Sequence, residues 1–181
     1  MTIERLNALG AADAERELRQ CCGSRAWAAR MAAARPFASA DAMAVTANVI
    51  WAALDESDWR EAFAAHPRIG GDARLKSGAP AEPEREHEPL GERWAAQEQS
   101  GAAAAAPPLL DRLAAKNREY EARFGYIFIV CATGKSADEM LSLLERRLTH
   151  DPRDEIRVAA DEQRKITQLR LQKLIAEPDA R

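Results

Sequence analysis

Phe124-Gly125-Tyr126-Ile127-Phe128-Ile129-Val130-Cys131-Ala132 is the stretch on which the fold class turns. Its β-branched and aromatic side chains favour a buried strand on propensity alone. A strand needs a partner for its N–H and C=O groups, and no other segment carries comparable composition. The run is therefore expected as a buried extended passage or an irregular helix, its main-chain groups satisfied by neighbours or by a ligand. The rest of the chain reads as helix, so the expected fold is all-α: a compact multi-helix single domain over residues 1–181.

Downstream, Gly134-Lys135-Ser136 invites a nucleotide-loop reading. That motif also requires glycine five positions before Gly134, where Ile129 stands, so an ATPase or GTPase is set aside. Ser136-Ala137-Asp138-Glu139 instead has capping-box spacing ahead of Met140, Leu141, Leu143 and Leu144. A second helix start falls at Asp151-Pro152, with the last helix running to about Ala176.

Upstream, Leu109 to about Ala122 predicts a helix carrying Leu110, Leu113, Asn117 and Tyr120, with Pro107-Pro108 breaking the chain before it. Residues 102–106 read as a tightly packed alanine helix, and helical pattern from about Gly91 takes in Trp94, Glu98 and Gln99. Residues 71–90 hold Pro80, Pro83, Pro89 and a charged run containing His87; they are expected as a long surface loop. Earlier still, helices are expected over Ile3–Leu9, Asp13–Cys22, Ser24–Ala34 with Trp27 and Met31 in the core, and from Ser39 or Asp41 to Leu54. In that last helix Val45, Val49 and Ala52 are expected to face inward. Ser57 or Asp58 then starts a short helix that ends at His66-Pro67-Arg68-Ile69-Gly70.

The balance of 26 basic and 29 acidic residues leaves a net charge of -3, which gives no counterion-driven reason to bind nucleic acid. No run approaches the roughly 18 apolar residues of a membrane span. Cys21, Cys22 and Cys131 form no CxxC pair, and His66, His87 and His150 lie too far apart for a local metal motif. No metal is expected, and a reduced cytoplasmic compartment is.

Arg170 stands out because it is centred on an apolar stripe of the last helix. At 100° per residue, Ala159 and Gln163 fall within about 20° of it, and Ile166 and Leu174 within about 40°. Such an arginine either snorkels to the rim, pairs structurally with a carboxylate, or is held in a pocket as a bidentate fork for an anion. Glu98, beside Trp94, is a carboxylate that a partly buried position would suit to acid–base work. His66 is the best acid or base in the composition; a helix C-terminus favours its charged form and apolar surroundings its neutral form, so the two oppose.

His66-Pro67-Arg68-Ile69-Gly70 resembles the signature of the ureidoimidazoline decarboxylases of urate breakdown, which act on 2-oxo-4-hydroxy-4-carboxy-5-ureidoimidazoline (OHCU). The resemblance continues through Glu98-Gln99, Asn117 to Tyr120, Phe124 to Ser136, and Glu162 to Leu171, essentially the whole chain. It implies a helical homodimer without metal or organic cofactor that converts OHCU to (S)-allantoin and carbon dioxide. Functional association with urate oxidase and hydroxyisourate hydrolase is implied too. His66, Glu98 and Arg170 would be its catalytic residues. Pro67, Ala95, Gln99 and the segment Phe128, Ile129, Val130, Cys131 and Ala132 would bind substrate. Members of the family often carry serine three residues before the glutamate, where this chain has Ala95, so that hydroxyl contact is either replaced or lost with a shift in preference. The alternative is a helical binding or scaffold protein that kept the architecture without the catalysis.

Overall fold

The computed structural model describes residues 1–69, 90–98 and 105–176. The chain divides into two units, Met1–Ala65 with Gln163–Arg181, and His66–Glu162.

In the first unit, α1 (Ile3–Ala8) starts at Thr2, whose hydroxyl accepts from the Arg5 N–H. Its last carbonyls, which have no helical donor of their own, are taken by Arg35: the guanidinium donates to Leu6 O at 2.6 Å and to Leu9 O at 2.7 Å. Helices α2 (Ala11–Cys21) and α3 (Arg25–Ala33) pack through Leu18, Cys21, Trp27, Ala28 and Met31, all fully buried, as expected for Trp27 and Met31. Gly23 lies between them and against Ala65; a β-carbon at Gly23 would lie 2.3 Å from the Ala65 methyl. The Ser24 hydroxyl caps α3, and the Trp27 indole donates across to Ala47 O at 3.3 Å.

Helix α4 (Ala40–Ala52) is capped by Ser39. Its inward face is Met43, Ala47 and Trp51, not Val45, Val49 and Ala52: Val45 is 63% exposed and Val49 65%. Ala40 to Ala52 is apolar almost all round, so periodicity does not choose a face there and tertiary packing does. Helix α5 (Glu56–Ala64) begins at Asp55, earlier than Ser57, because the Asp55 carboxylate accepts from the Asp58 N–H.

The second unit opens on His66 and holds α6 (Leu90–Glu98), α7 (Pro107–Phe124) and α8 (Ala137–Arg147). Ala105 and Ala106 are not helical; Ala106 is extended and caps α7, with proline in the first turn where its missing N–H does no harm. The remaining alanines of that run, residues 71–89, His87 and Gln99 lie outside the described residues. Gly125 stops α7 at φ 76°, a left-handed conformation that suits glycine, and its N–H returns to Glu121 O at 2.9 Å.

From there to Ser136 the backbone forms neither helix nor strand, while Phe128 through Ala132 are all buried. This is the buried irregular passage that the composition and the missing partner predict. A tight turn closes it, with the Lys135 N–H on Ala132 O at 2.9 Å and Gly134 at φ 78°, so Gly134 serves a turn and no phosphate loop. The capping box at Ser136 and Glu139 is present as read, and α7 and α8 pack through Leu113, Met140 and Leu144. Helix α9 (Pro152–Ala176) supplies its first part to the second unit and its last part to the first.

Candidate active site

Residues 66–69 follow α5 as a turn, with His66 and Pro67 half-buried. Two side chains of α7 tether this turn. The Asn117 amide donates to Ile69 O at 3.0 Å and to Leu113 O at 3.1 Å, and Arg68 pairs with the Glu121 carboxylate at 2.7 Å. That guanidinium holds the Glu121 carboxyl below its usual range. The histidine is therefore fixed through its backbone to a long helix, not to a free loop.

Glu98 ends α6 and is only 8% exposed; Trp94 and Ala95, one turn before it, are buried with it. Burial raises the Cys131 thiol above its ordinary pKa, Lys135 opposes that, and the carboxylates of Glu162 and Glu98 add to it. The buried carboxyl of Glu98 therefore lies within electrostatic reach of Cys131 on the irregular passage.

The passage is held from outside by charged side chains. Arg147 donates to Ile129 O at 2.7 Å, Glu162 accepts from the Cys131 N–H at 2.8 Å, and Lys135 donates to Cys131 O at 2.6 Å. Arg147 is itself fixed: its Nε lies 2.7 Å from a Glu155 oxygen, and its guanidinium stacks 4.7 Å above the Phe128 ring. The Tyr120 hydroxyl and His150 Nδ1 complete the shell around the fully buried Glu155 carboxylate. Burial raises the Tyr120 pKa, so the phenol stays a donor to that carboxylate. By contrast, among the described residues no side chain or other backbone group bonds the N–H or C=O groups of Phe128 and Val130, though both residues are buried.

Of the residues singled out in the sequence, Glu98 and the Phe128–Ala132 segment come together, and His66 with Pro67 belongs to the same unit. Arg170 belongs to the first unit, where it is 5% exposed and therefore no rim residue. Ala159, Gln163, Ile166 and Leu174 of its stripe are buried, as the periodicity predicts. Near it the Cys22 thiol is pushed up to about 11 by burial, with Arg170 pulling the other way. Arg147, Glu155, Lys135 and Glu162 were absent from the sequence-based candidates. Arg147 carried a signal of the Arg170 kind, because it continues the buried Met140 and Leu144 stripe of α8.

The OHCU decarboxylase family model matches residues 7–172. The chain is 34% identical over 163 residues to the uric acid degradation bifunctional protein TTL of Arabidopsis thaliana, a match covering 90% of this chain and 48% of that protein. It is 42% identical over 62 residues to a 2-oxo-4-hydroxy-4-carboxy-5-ureidoimidazoline decarboxylase of Amia calva, covering 34% of this chain and 35% of that one. The chain thus spans less than half the length of both curated relatives. Among solved structures, a crystal structure of OHCU decarboxylase in the presence of (S)-allantoin superposes with a TM-score of 0.70 at 34% identity, over 89% of this chain and 98% of that one. With a match of that extent, the all-α chain belongs to the OHCU decarboxylase family.

Proposed function

We propose that the protein decarboxylates OHCU to (S)-allantoin and carbon dioxide in purine breakdown. The observation that carries this reading is the buried pair Phe128 and Val130, whose main-chain donors and acceptors have no partner among the described residues and lie on the passage within electrostatic reach of Glu98. Buried amides need partners, and a ureido group with its ring amides supplies both donors and acceptors in alternation. In the reaction the bond to the carboxylate breaks, carbon dioxide leaves, and the electron pair passes into the adjacent unsaturation of the ring. One proton is then added at the ureido-bearing carbon as the hydroxyl becomes a carbonyl. Glu98 orients the hydroxyl or ureido portion, His66 handles the proton, and Arg170 takes the anionic oxygens, as the family resemblance assigns them. Positioned proton transfer contributes roughly 10²- to 10⁴-fold, and delivery to one face gives one enantiomer. Ala95 removes a hydroxyl from the turn before Glu98, which leaves orientation more dependent on Glu98, Gln99 and the passage.

The same reading includes a homodimer, supported by the exposed Val45 and Val49 one turn apart on α4. It includes a single family domain over residues 1–181, supported by the unbroken match over 7–172. It also includes cytoplasmic work alongside urate oxidase and hydroxyisourate hydrolase, which would supply the short-lived substrate. The test is to generate OHCU from urate enzymatically and follow allantoin by circular dichroism. Wild-type protein should give (S)-allantoin well above the spontaneous rate, and His66→Asn and Glu98→Gln should each lose at least about a hundredfold. Racemic product at the spontaneous rate with wild-type protein defeats the proposal.

A further inference from the structure

We infer that Glu162 is a positioning residue, one that fixes the irregular passage by its Cys131 amide so that the alternate main-chain groups, at Phe128 and Val130, are presented to the substrate. The inference rests on the proposed decarboxylation. It starts from a pattern of period two. Protein partners fall on Ile129, through Arg147, and on Cys131, through Glu162 and Lys135; at Phe128 and Val130 there are none among the described residues. In an extended chain the N–H and C=O of alternate residues point to the same side. The main-chain groups at Ile129 and Cys131 are thus taken up by side chains, and those at Phe128 and Val130 are left to be read.

Among the described residues Glu162 is the only side-chain acceptor of these grips, and it takes the only main-chain N–H that a side chain holds between Phe128 and Ala132. Without it the Cys131 amide becomes a buried donor in need of a partner. Rotation of that peptide toward any other acceptor carries the Val130 carbonyl with it, since the two share one peptide plane. Glu162 stays outside the chemistry, and its effect on the substrate passes through the Cys131 peptide. Its carboxylate charge is not what the role needs, because an amide oxygen at the same place accepts the same bond.

The test compares Glu162→Gln, which keeps an acceptor, with Glu162→Leu, which removes it. Glu162 is half-buried, and unfolding in urea checks that both variants keep the wild-type fold. Glu162→Leu should raise KM for OHCU about tenfold with a smaller change in kcat, while Glu162→Gln stays within about threefold of wild type. In parallel, amide hydrogen exchange at Cys131 by NMR should quicken about tenfold in Glu162→Leu alone. A KM within twofold of wild type in Glu162→Leu, or equal impairment of both variants, overturns the inference. If wild type itself fails to turn over OHCU, the decarboxylase reading falls separately. The exchange comparison then decides the role of Glu162, and unchanged Cys131 protection in Glu162→Leu overturns it.

Discussion

In helices α2 to α4 the backbone bonds to itself, and Leu18, Trp27, Met31, Met43 and Trp51 fill the interior with apolar side chains. In residues 125–136 the backbone has no ladder, and the interior beside it holds Arg147, Glu155 and Tyr120. The difference teaches that buried charge here follows irregular backbone. A helix satisfies its own N–H and C=O groups at no cost to its side chains, whereas an unladdered segment must be met by donors and acceptors from elsewhere. A guanidinium is suited to that task, since its fork serves a carbonyl, a carboxylate and an aromatic face together.

The largest test of this contrast removes the charge from the passage. Arg147→Met leaves the Glu155 carboxylate buried without its cation, and unfolding in urea should show a loss of about 3–5 kcal/mol. Adding Glu155→Leu should recover at least half of that stability, because two apolar groups replace a broken pair. Activity should not return with it, since Ile129 O still lacks its donor. Full recovery of turnover in the double variant would mean that the passage needs no such grip.

A smaller effect probes the apolar region through Cys22. Its folded pKa of about 11 lies above the ordinary 9.0, so the folded state holds the thiol proton more tightly. That contribution is complete below pH 9, shrinks as the unfolded thiol ionises, and is lost as pH rises through about 11. The stability difference between wild type and Cys22→Ala should therefore shrink by roughly 2 kcal/mol from pH 9 to 11. A constant difference would show that the site is more polar than its burial indicates. The smallest effect belongs to the outward face of α4. Val45→Lys with Val49→Lys should change monomer stability by no more than about 0.5 kcal/mol, yet shift the sedimentation of the proposed homodimer to that of a monomer; unchanged sedimentation would take this face out of the proposed contact.

Much of the helical frame was legible, because start and stop signals act over three or four residues. Ser24, Ser39 and Ser136 cap their helices, and Gly125 ends α7 by a conformation that other residues resist. The face of α4 was not legible, since an all-apolar helix offers no contrast from which a face can be read. The irregular passage was inferred by elimination: one strand without a partner is not a sheet. Its holders were out of reach of such local signals, because Arg147 and Glu162 lie 18 and 31 residues along the chain from the groups they hold, joined to them by packing. Within the candidate site, the roles of His66, Glu98 and Arg170 came from family resemblance, while the burial of Arg170 was readable from its stripe.

Gly23 carries a consequence for anyone building a mutant library of this protein. A short loop between two helices ordinarily accepts almost any residue, yet here even one methyl group would meet Ala65 at 2.3 Å. Ala65 is a rigid neighbour with no side chain to swing aside, and the next residue in the chain is His66. Position 23 should therefore behave in a mutational scan like a buried core position, intolerant of any side chain, although it lies in a short connection between two helices.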